Sequence, residues 1–219
     1  MAIQILYEDN HLIAVLKPAN MPVQGDITGD VCLLDEVKKY LKVKYKKTGN
    51  VFLGLLHRLD RPVSGIVLFA KTSKGASRLS EQIRNHSFKK TYFALLEGVL
   101  DVTDGDLINF LKKDKLKNIT RVFDRKIVGT LMAELHFEIL KSKDNKTLVK
   151  INLKTGRHHQ IRAQFAHLGF PVVGDVKYGA SEPLPEKNIA LFSGEISFKT
   201  ATGNKIISLS APLPDYFSI

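Results

Sequence analysis

Leu131-Met132-Ala133-Glu134-Leu135-His136-Phe137-Glu138-Ile139-Leu140, followed after a polar break by Lys146-Thr147-Leu148-Val149-Lys150-Ile151-Asn152-Leu153, decides the fold class of this chain. In the first run Ala133, Leu135, Phe137 and Ile139 alternate with Glu134, His136 and Glu138. A period of two places successive side chains on opposite faces, so the run reads as a strand with one buried face. Val149, Ile151 and Leu153 repeat the pattern in the second run. The polar stretch from Lys141 to Asn145 then reads as the loop of an antiparallel hairpin.

The same reading extends outward in both directions. Ile5 to Tyr7 and Leu12 to Leu16 flank Asp9-Asn10 and form a second hairpin, ended by Pro18 and Pro22. Ser64 to Lys71 is a short apolar run, as in a fully buried strand. Lys90 to Glu97 alternates, with Tyr92, Ala94 and Leu96 on one face. Strands near Ile189 to Phe198 and Lys205 to Ser210 join through Thr202-Gly203-Asn204. Helical spacing covers Val31 to Lys47, with Asp30 as N-cap and Leu34, Val37 and Leu41 on one face. It recurs over Ser73 to Asn85 through Ala76, Leu79 and Ile83. A third helix, His159 to Leu168, has Ile161, Phe165 and Leu168 inward and stops at Gly169 and Pro171. Residues 101–128 show weak periodicity and carry Lys112, Lys113, Lys115 and Lys117, so they read as an irregular surface segment. Strands outnumber helices and neighbours are antiparallel, which is an α+β pattern. The simplest partition is one compact domain over residues 1–219.

Composition narrows the partners. The 219 residues are 44% hydrophobic and 25% charged, an ordinary globular balance, but the formal net charge is +11. Such an excess favours polyanions, nucleic acid before anionic membrane. The single cysteine, Cys32, excludes an intrachain disulfide and a Cys-rich zinc site. The first ten residues lack the basic start and apolar run of a signal peptide, and no segment approaches the roughly 20 apolar residues of a membrane helix. The expectation is a soluble cytoplasmic protein, monomeric by default.

Three segments concentrate chemistry. His57-Arg58-Leu59-Asp60-Arg61-Pro62-Val63-Ser64-Gly65 places a carboxylate among cations just before a buried strand. Pro62 and Gly65 mark a turn, so Asp60 sits on a loop carried by a rigid scaffold, where catalytic groups tend to lie. The plainer reading is an Asp–Arg ion pair that fixes the turn. In Lys89-Lys90-Thr91-Tyr92 the lysines suit phosphates and the ring suits an unpaired base, against the plainer reading of a core Tyr behind solvated lysines. Thr155-Gly156-Arg157-His158-His159-Gln160-Ile161-Arg162 is a Gly turn opening a helix, whose N–H groups favour anions. Arg162 borders the buried face there and needs a carboxylate, for which Asp60 is a candidate, unless it reaches back to solvent. A phosphate-binding P-loop, a dinucleotide glycine fingerprint and HExxH are all missing, and adjacent His158 and His159 cannot pair as metal ligands on one helix face. No metal is expected.

Together these segments resemble the RluA family of pseudouridine synthases, which act on ribosomal or transfer RNA. His57-Arg58-Leu59-Asp60-Arg61 with Ser64-Gly65 is similar to that family's HRLDRxTSG loop. Lys90-Thr91-Tyr92-Phe93-Ala94-Leu95 is similar to its K-x-Y-x-A-L strand, and residues 155–162 to TGRTHQIR. Gly169-Phe170-Pro171-Val172-Val173-Gly174-Asp175 and Tyr178-Gly179 resemble the stretch that follows. Val63 and His158 stand where Thr is usual.

The resemblance spans nearly the whole chain and implies a pseudouridine synthase fold. That fold is a long, bent, mainly antiparallel mixed sheet, flanked by helices and loops around a central basic cleft, here without an accessory RNA-binding domain in front. It implies isomerisation of a specific uridine in ribosomal or transfer RNA, with no cofactor or metal. Asp60 would be the catalytic carboxylate, as nucleophile or base, with Arg162 beside it and Tyr92 against the flipped base. Arg58 would fill the vacated space, and His57, Arg61, Lys89, Lys90, Arg157 and Ile161 complete the substrate site. Arg162→Met is expected to stop turnover and leave the fold intact. The competing functions are a non-catalytic RNA-binding protein on the same fold, which a lost Asp60 would have signalled, and a ribosome-associated structural protein, which rests on charge alone.

Overall fold

A computed structural model describes residues 3–219. In chain order the elements are β1 (Gln4–Glu8), β2 (Leu12–Lys17), α1 (Leu33–Lys44), β3 (Gly54–Leu55), β4 (Ser64–Ala70), α2 (Ser73–Arg84) and β5 (Lys89–Glu97). There follow β6 (Asp104–Asp114), β7 (Ile119–Phe123), β8 (Leu131–Lys143), β9 (Lys146–Leu153), α3 (Gln160–His167), β10 (Leu191–Lys199) and β11 (Ile206–Ser210), with short 3-10 turns between and after them. The class is α+β. The chain divides into two compact units, one holding residues to Lys90 with Ser193–Pro212, the other Thr91–Phe192 with Leu213–Ile219.

In the first unit the strands lie in the order β1-β2-β4-β10, with β3 also on β4 and β11 on β10. Every residue of β4 is buried, and β2 is nearly so, because both are covered on two faces. That is why they read as unbroken apolar runs. Leu12, Ala14, Ile66, Leu68, Ala70, Leu79, Phe88, Ile196 and Phe198 form one core cluster, which α2 covers with Leu79. The α2 N-cap is Thr72, whose hydroxyl accepts from Gly75 N at 3.1 Å. α1 starts later than its spacing suggests. Its N-cap is Cys32, which makes no side-chain capping bond, and Asp30 is committed to Thr28 and Arg61.

In the second unit the order is β5-β9-β8-β6-β7, antiparallel at each step. The β8–β9 hairpin forms as its alternation requires, with Ala133, Leu135, Phe137, Val149 and Ile151 buried. Its strands extend further than the polar residues suggest. The turn is only Asp144-Asn145, both at positive φ (51° and 54°), the conformation that matches strand twist in a two-residue hairpin. Phe165 of α3 packs edge-on against Phe137, centroids 5.4 Å apart. Leu168, expected inward, is exposed at the C-cap of α3.

The largest correction falls on residues 101–128. They form β6 and β7, not an irregular segment. Gly105, Leu107, Asn109 and Leu111 take the inner positions of β6 and Asp104, Asp106 and Ile108 the outer ones. A glycine and an asparagine inside, and an isoleucine outside, blur the apolar alternation that would have revealed the strand. Among the described residues no helix is long and apolar enough to cross a membrane.

Candidate active site

Asp60 lies in the loop between β3 and β4, half-buried, after exposed Arg58 and buried Leu59. Val63 N donates to Asp60 O at 3.1 Å and closes a turn. The loop leads directly into wholly buried β4, so its end is rigidly placed. Gly65 belongs to that strand and not to the turn. It has φ +128°, and a Cβ there would lie 2.4 Å from Ser193 O and 2.5 Å from Ser193 N. The close approach of β10 backbone therefore requires glycine.

Two side chains fasten this loop from beneath. His57 Nε2 accepts from Leu68 N at 3.0 Å, at the point where β3 ends against β4. That bond puts the ring proton on Nδ1, which is buried without a hydrogen-bond partner. The ring packs against Phe88, centroids 5.4 Å apart. Burial, and the nearby charge of Lys90, hold its pKa down to about 3, so the imidazole is neutral. Expected among the RNA contacts, His57 keeps both ring nitrogens inside the protein and acts there as a strut.

The second fastener is Lys17, which the sequence reading missed. It is 0% exposed at the end of β2. Its Nζ donates to Met21 O at 2.7 Å, Pro18 O at 2.9 Å and Arg61 O at 3.0 Å. Burial pulls its pKa to about 7, while the charge of Asp60 opposes that shift. The only sequence signal is a lysine ending an otherwise apolar strand and followed by proline.

Arg61 does not serve its neighbour's turn as a simple ion pair. Its guanidinium reaches Asp30 Oδ2 at 2.7 Å, Thr28 Oγ1 at 2.8 Å and Asp26 Oδ2 at 3.3 Å. Lys89 is exposed and Lys90 half-buried, and desolvation lowers the Lys90 pKa.

The second unit carries the other predicted residues. Tyr92 is buried in β5, 6% exposed, opposite Ile151 of β9. Arg162 is buried in α3, and one carboxylate that meets it is that of Asp175. Arg162 Nε donates to Oδ2 at 2.6 Å and Nη2 to Oδ1 at 2.8 Å. The pair is bidentate, and both side chains are at most 5% exposed. Arg162 also lies over the Tyr178 ring, 5.0 Å from its centroid. Removing Arg162 would strand the buried Asp175 carboxylate, so Arg162→Met is not the fold-neutral change that the sequence suggests.

Around Tyr178 a polar network closes. Its hydroxyl accepts from Thr120 N at 2.7 Å and sits 2.8 Å from His159 Nδ1. Burial first, then the Arg162 charge, hold the His159 pKa down to about 2, so the ring is neutral. His159 caps α3 in the left-handed region and stacks on His158, centroids 3.7 Å apart. The start of α3 is less open to anions than the sequence suggests. Gln160 Oε1 accepts from Arg157 N at 3.0 Å and Thr155 Oγ1 at 2.8 Å, and its Nε2 donates to Glu134 O at 3.1 Å. Arg157 is exposed and gives its Nε to Met132 O, while Ile161 is 4% exposed. Among the described residues no group of His, Cys, Asp or Glu is placed to hold a metal ion.

Comparison with known proteins gives these residues a context. The sequence matches the family described as RNA pseudouridylate synthase over residues 11–167. It is 31% identical over 221 residues to the uncharacterized RNA pseudouridine synthase YlyB of Bacillus subtilis (strain 168), covering 98% of this chain and 70% of that protein. It is 34% identical over 218 residues to the ribosomal large subunit pseudouridine synthase C of Rickettsia felis, covering 98% of this chain and 68% of the relative. The fold is that of solved pseudouridylate synthases. Human RNA pseudouridylate synthase domain containing 4 superposes with a TM-score of 0.81 at 21% identity, over 98% of this chain and 90% of that one. Human RNA pseudouridylate synthase domain containing 1 gives 0.75 at 19% identity, over 96% and 83%.

Proposed function

The chain belongs to the RNA pseudouridylate synthase family, and on that premise we propose that Asp60 is the carboxylate with which it isomerises a uridine of ribosomal RNA. The enzyme is an isomerase: the uracil N1–C1′ bond breaks, the base turns, and a C5–C1′ bond forms. N1 gains the proton that C5 loses, so the formula of the RNA is unchanged. A carboxylate suits this chemistry as a nucleophile at C1′ or as a base on the sugar. The ribosomal target rests on relatives described as ribosomal large subunit pseudouridine synthase C.

The single observation that supports Asp60 is its mounting. It sits in a loop pinned by a buried ammonium and a neutral imidazole, one turn ahead of a strand buried along its whole length. A reacting group gains from such fixity, because orientation that is settled before binding need not be settled in the transition state. A loop with only a structural turn to make would not need two buried polar fasteners.

In this reading the target nucleotide leaves its stack, at about a few kcal/mol, to reach Asp60. Exposed Arg58 takes the vacated place, and the Tyr92 ring lies against the extruded base. Arg162, held in one orientation by Asp175, is a further candidate for the catalytic machinery. Lys89, Lys90 and Arg157 meet phosphates, so affinity falls with salt.

The test is Asp60→Asn. Ribosomal RNA carrying tritium at uridine C5, prepared from cells lacking this protein, releases tritium as pseudouridine forms. The wild-type chain should release it and Asp60→Asn should not, with both showing the same urea unfolding midpoint. Turnover by Asp60→Asn at the wild-type rate would end the assignment.

A further inference from the structure

Arg61, the residue after Asp60, is fastened at both ends. Its carbonyl accepts from buried Lys17 Nζ at 3.0 Å. Its guanidinium forks onto one turn, reaching Asp30 Oδ2 at 2.7 Å, Thr28 Oγ1 at 2.8 Å and Asp26 Oδ2 at 3.3 Å. The turn is knitted within itself. Thr28 N donates to Asp26 Oδ1 at 2.9 Å, and Gly29 N to Asp26 O at 3.3 Å. The Thr28 hydroxyl lies 2.6 Å from Asp26 Oδ1 and 2.9 Å from Asp30 Oδ2.

Nothing apolar holds this turn down. Every residue from Gln24 to Val31 is exposed, and Ile27 at its tip is fully so. The charge balance matters as much as the geometry. Asp26 and Asp30 outnumber the one guanidinium between them, so the cluster is net negative and repels phosphate. Both carboxyls are held below their usual range, Asp30 chiefly by Arg61 and Asp26 chiefly by Thr28. They therefore stay ionised at neutral pH.

We infer that Arg61 is a positioning residue, which moors the Asp60 loop to the 26–30 turn, and that it is not a ligand for RNA phosphate. The inference rests on the reading of Asp60 as the catalytic carboxylate. Mooring needs the planar fork of arginine, which addresses several acceptors at fixed angles, whereas a phosphate contact needs only a positive charge. Exposed ion pairs taken singly contribute little. Here the fork ties two segments whose other ends are already fixed, so its loss frees both at once.

Opposite results follow for the two roles. Arg61→Lys keeps the charge and loses the fork. Mooring predicts a kcat lower by roughly 10- to 100-fold, as for a slightly misplaced reacting group, with KM little changed. A phosphate ligand predicts near-normal kcat and KM. The double variant Asp26→Asn/Asp30→Asn removes negative charge. Electrostatics alone would then tighten RNA binding, whereas mooring predicts the same kcat loss as Arg61→Lys, and no further loss when the changes are combined.

Both variants are assayed by tritium release from the labelled ribosomal RNA and by amide hydrogen exchange of the free protein. Mooring predicts exchange several-fold faster at residues 25–30 and at Asp60, Arg61 and Val63, with the β4 amides unchanged. Unaltered exchange in Arg61→Lys, or a change in KM and salt dependence alone, overturns the inference. If the wild-type chain releases no tritium, the ribosomal reading fails, and the exchange data still decide whether Arg61 is a mooring.

Discussion

Replacing Lys17 by methionine probes whether a buried, titrating ammonium props the Asp60 loop. The side chain is 0% exposed and gives its hydrogens to three carbonyls, those of Pro18, Met21 and Arg61. In the unfolded chain it holds its proton up to its ordinary value of 10.5, and in the fold burial brings that down to about 7. Between those values the unfolded state binds more protons than the folded one, so this residue makes stability rise with pH. Below about pH 7 both states are protonated, and above about pH 10.5 both are neutral, so the contribution is flat at each end. At about 1.4 kcal/mol per pH unit, and with half the proton still bound at the start, the rise from about pH 7 to about pH 9 comes to roughly 2 kcal/mol. The full window is worth about 5 kcal/mol.

Methionine fills a similar volume and has no proton to lose. It leaves three carbonyls without their donor, at about 1–3 kcal/mol for each that water does not reach, and it removes the penalty of a buried charge. The offset between those effects sets the absolute difference, but only the ammonium makes the difference depend on pH. Urea unfolding of wild type and Lys17→Met, at intervals from about pH 6 to about pH 9, measures it directly, because every other titration is common to both. The gap in favour of wild type should widen by roughly 2 kcal/mol above neutrality, with equal m-values. A gap that is constant across the range would show that the carbonyls and Asp60 hold the proton against burial, and the argument from desolvation would fail.

Other changes follow from single contacts. Arg162→Met should destabilise the protein by about 3–5 kcal/mol through the stranded Asp175 carboxylate, and Arg162→Met/Asp175→Leu should recover most of that without recovering tritium release; a single-variant loss under about 1 kcal/mol would sink the claim. Gly65→Ala drives a Cβ to within 2.4 Å of Ser193 O, and thermal unfolding should reveal a cost on the order of 3 kcal/mol, whereas an unchanged midpoint would mean that β10 yields freely. Tyr92→Phe keeps the ring and loses the hydroxyl: a rate lower by roughly 100-fold assigns the phenol to proton transfer, and an unchanged rate leaves it stacking alone.

The parts of this molecule that were legible in its sequence are those fixed by near neighbours. β4 read as a buried strand and β2 as the apolar arm of a hairpin, because both faces of each are covered, and β8–β9 as a hairpin because one face is. The Asp60 loop was legible too, since a carboxylate among cations before such a strand is local information. What stayed hidden was decided at long range, by which polar groups meet once the strands are laid down. Asp30 has the chemistry and the place of an N-cap, yet its carboxylate belongs to Arg61, 31 positions away. Arg162 visibly needed an acid, and only the turn back after α3 brings Asp175 to it, 13 positions on.

β6 was lost for the converse reason, since Asn109 inside and Ile108 outside invert the local code. Lys17 is the sharpest case. A lysine at a strand end normally marks the way out to solvent, and here it marks the way in, because three carbonyls converge where the strand stops. Its burial is costly, and it holds the backbone one residue beyond Asp60. A strand can be specified by hydrophobicity alone, but a loop held at a fixed place needs directional bonds. In this fold those bonds come from side chains that periodicity assigns to the surface.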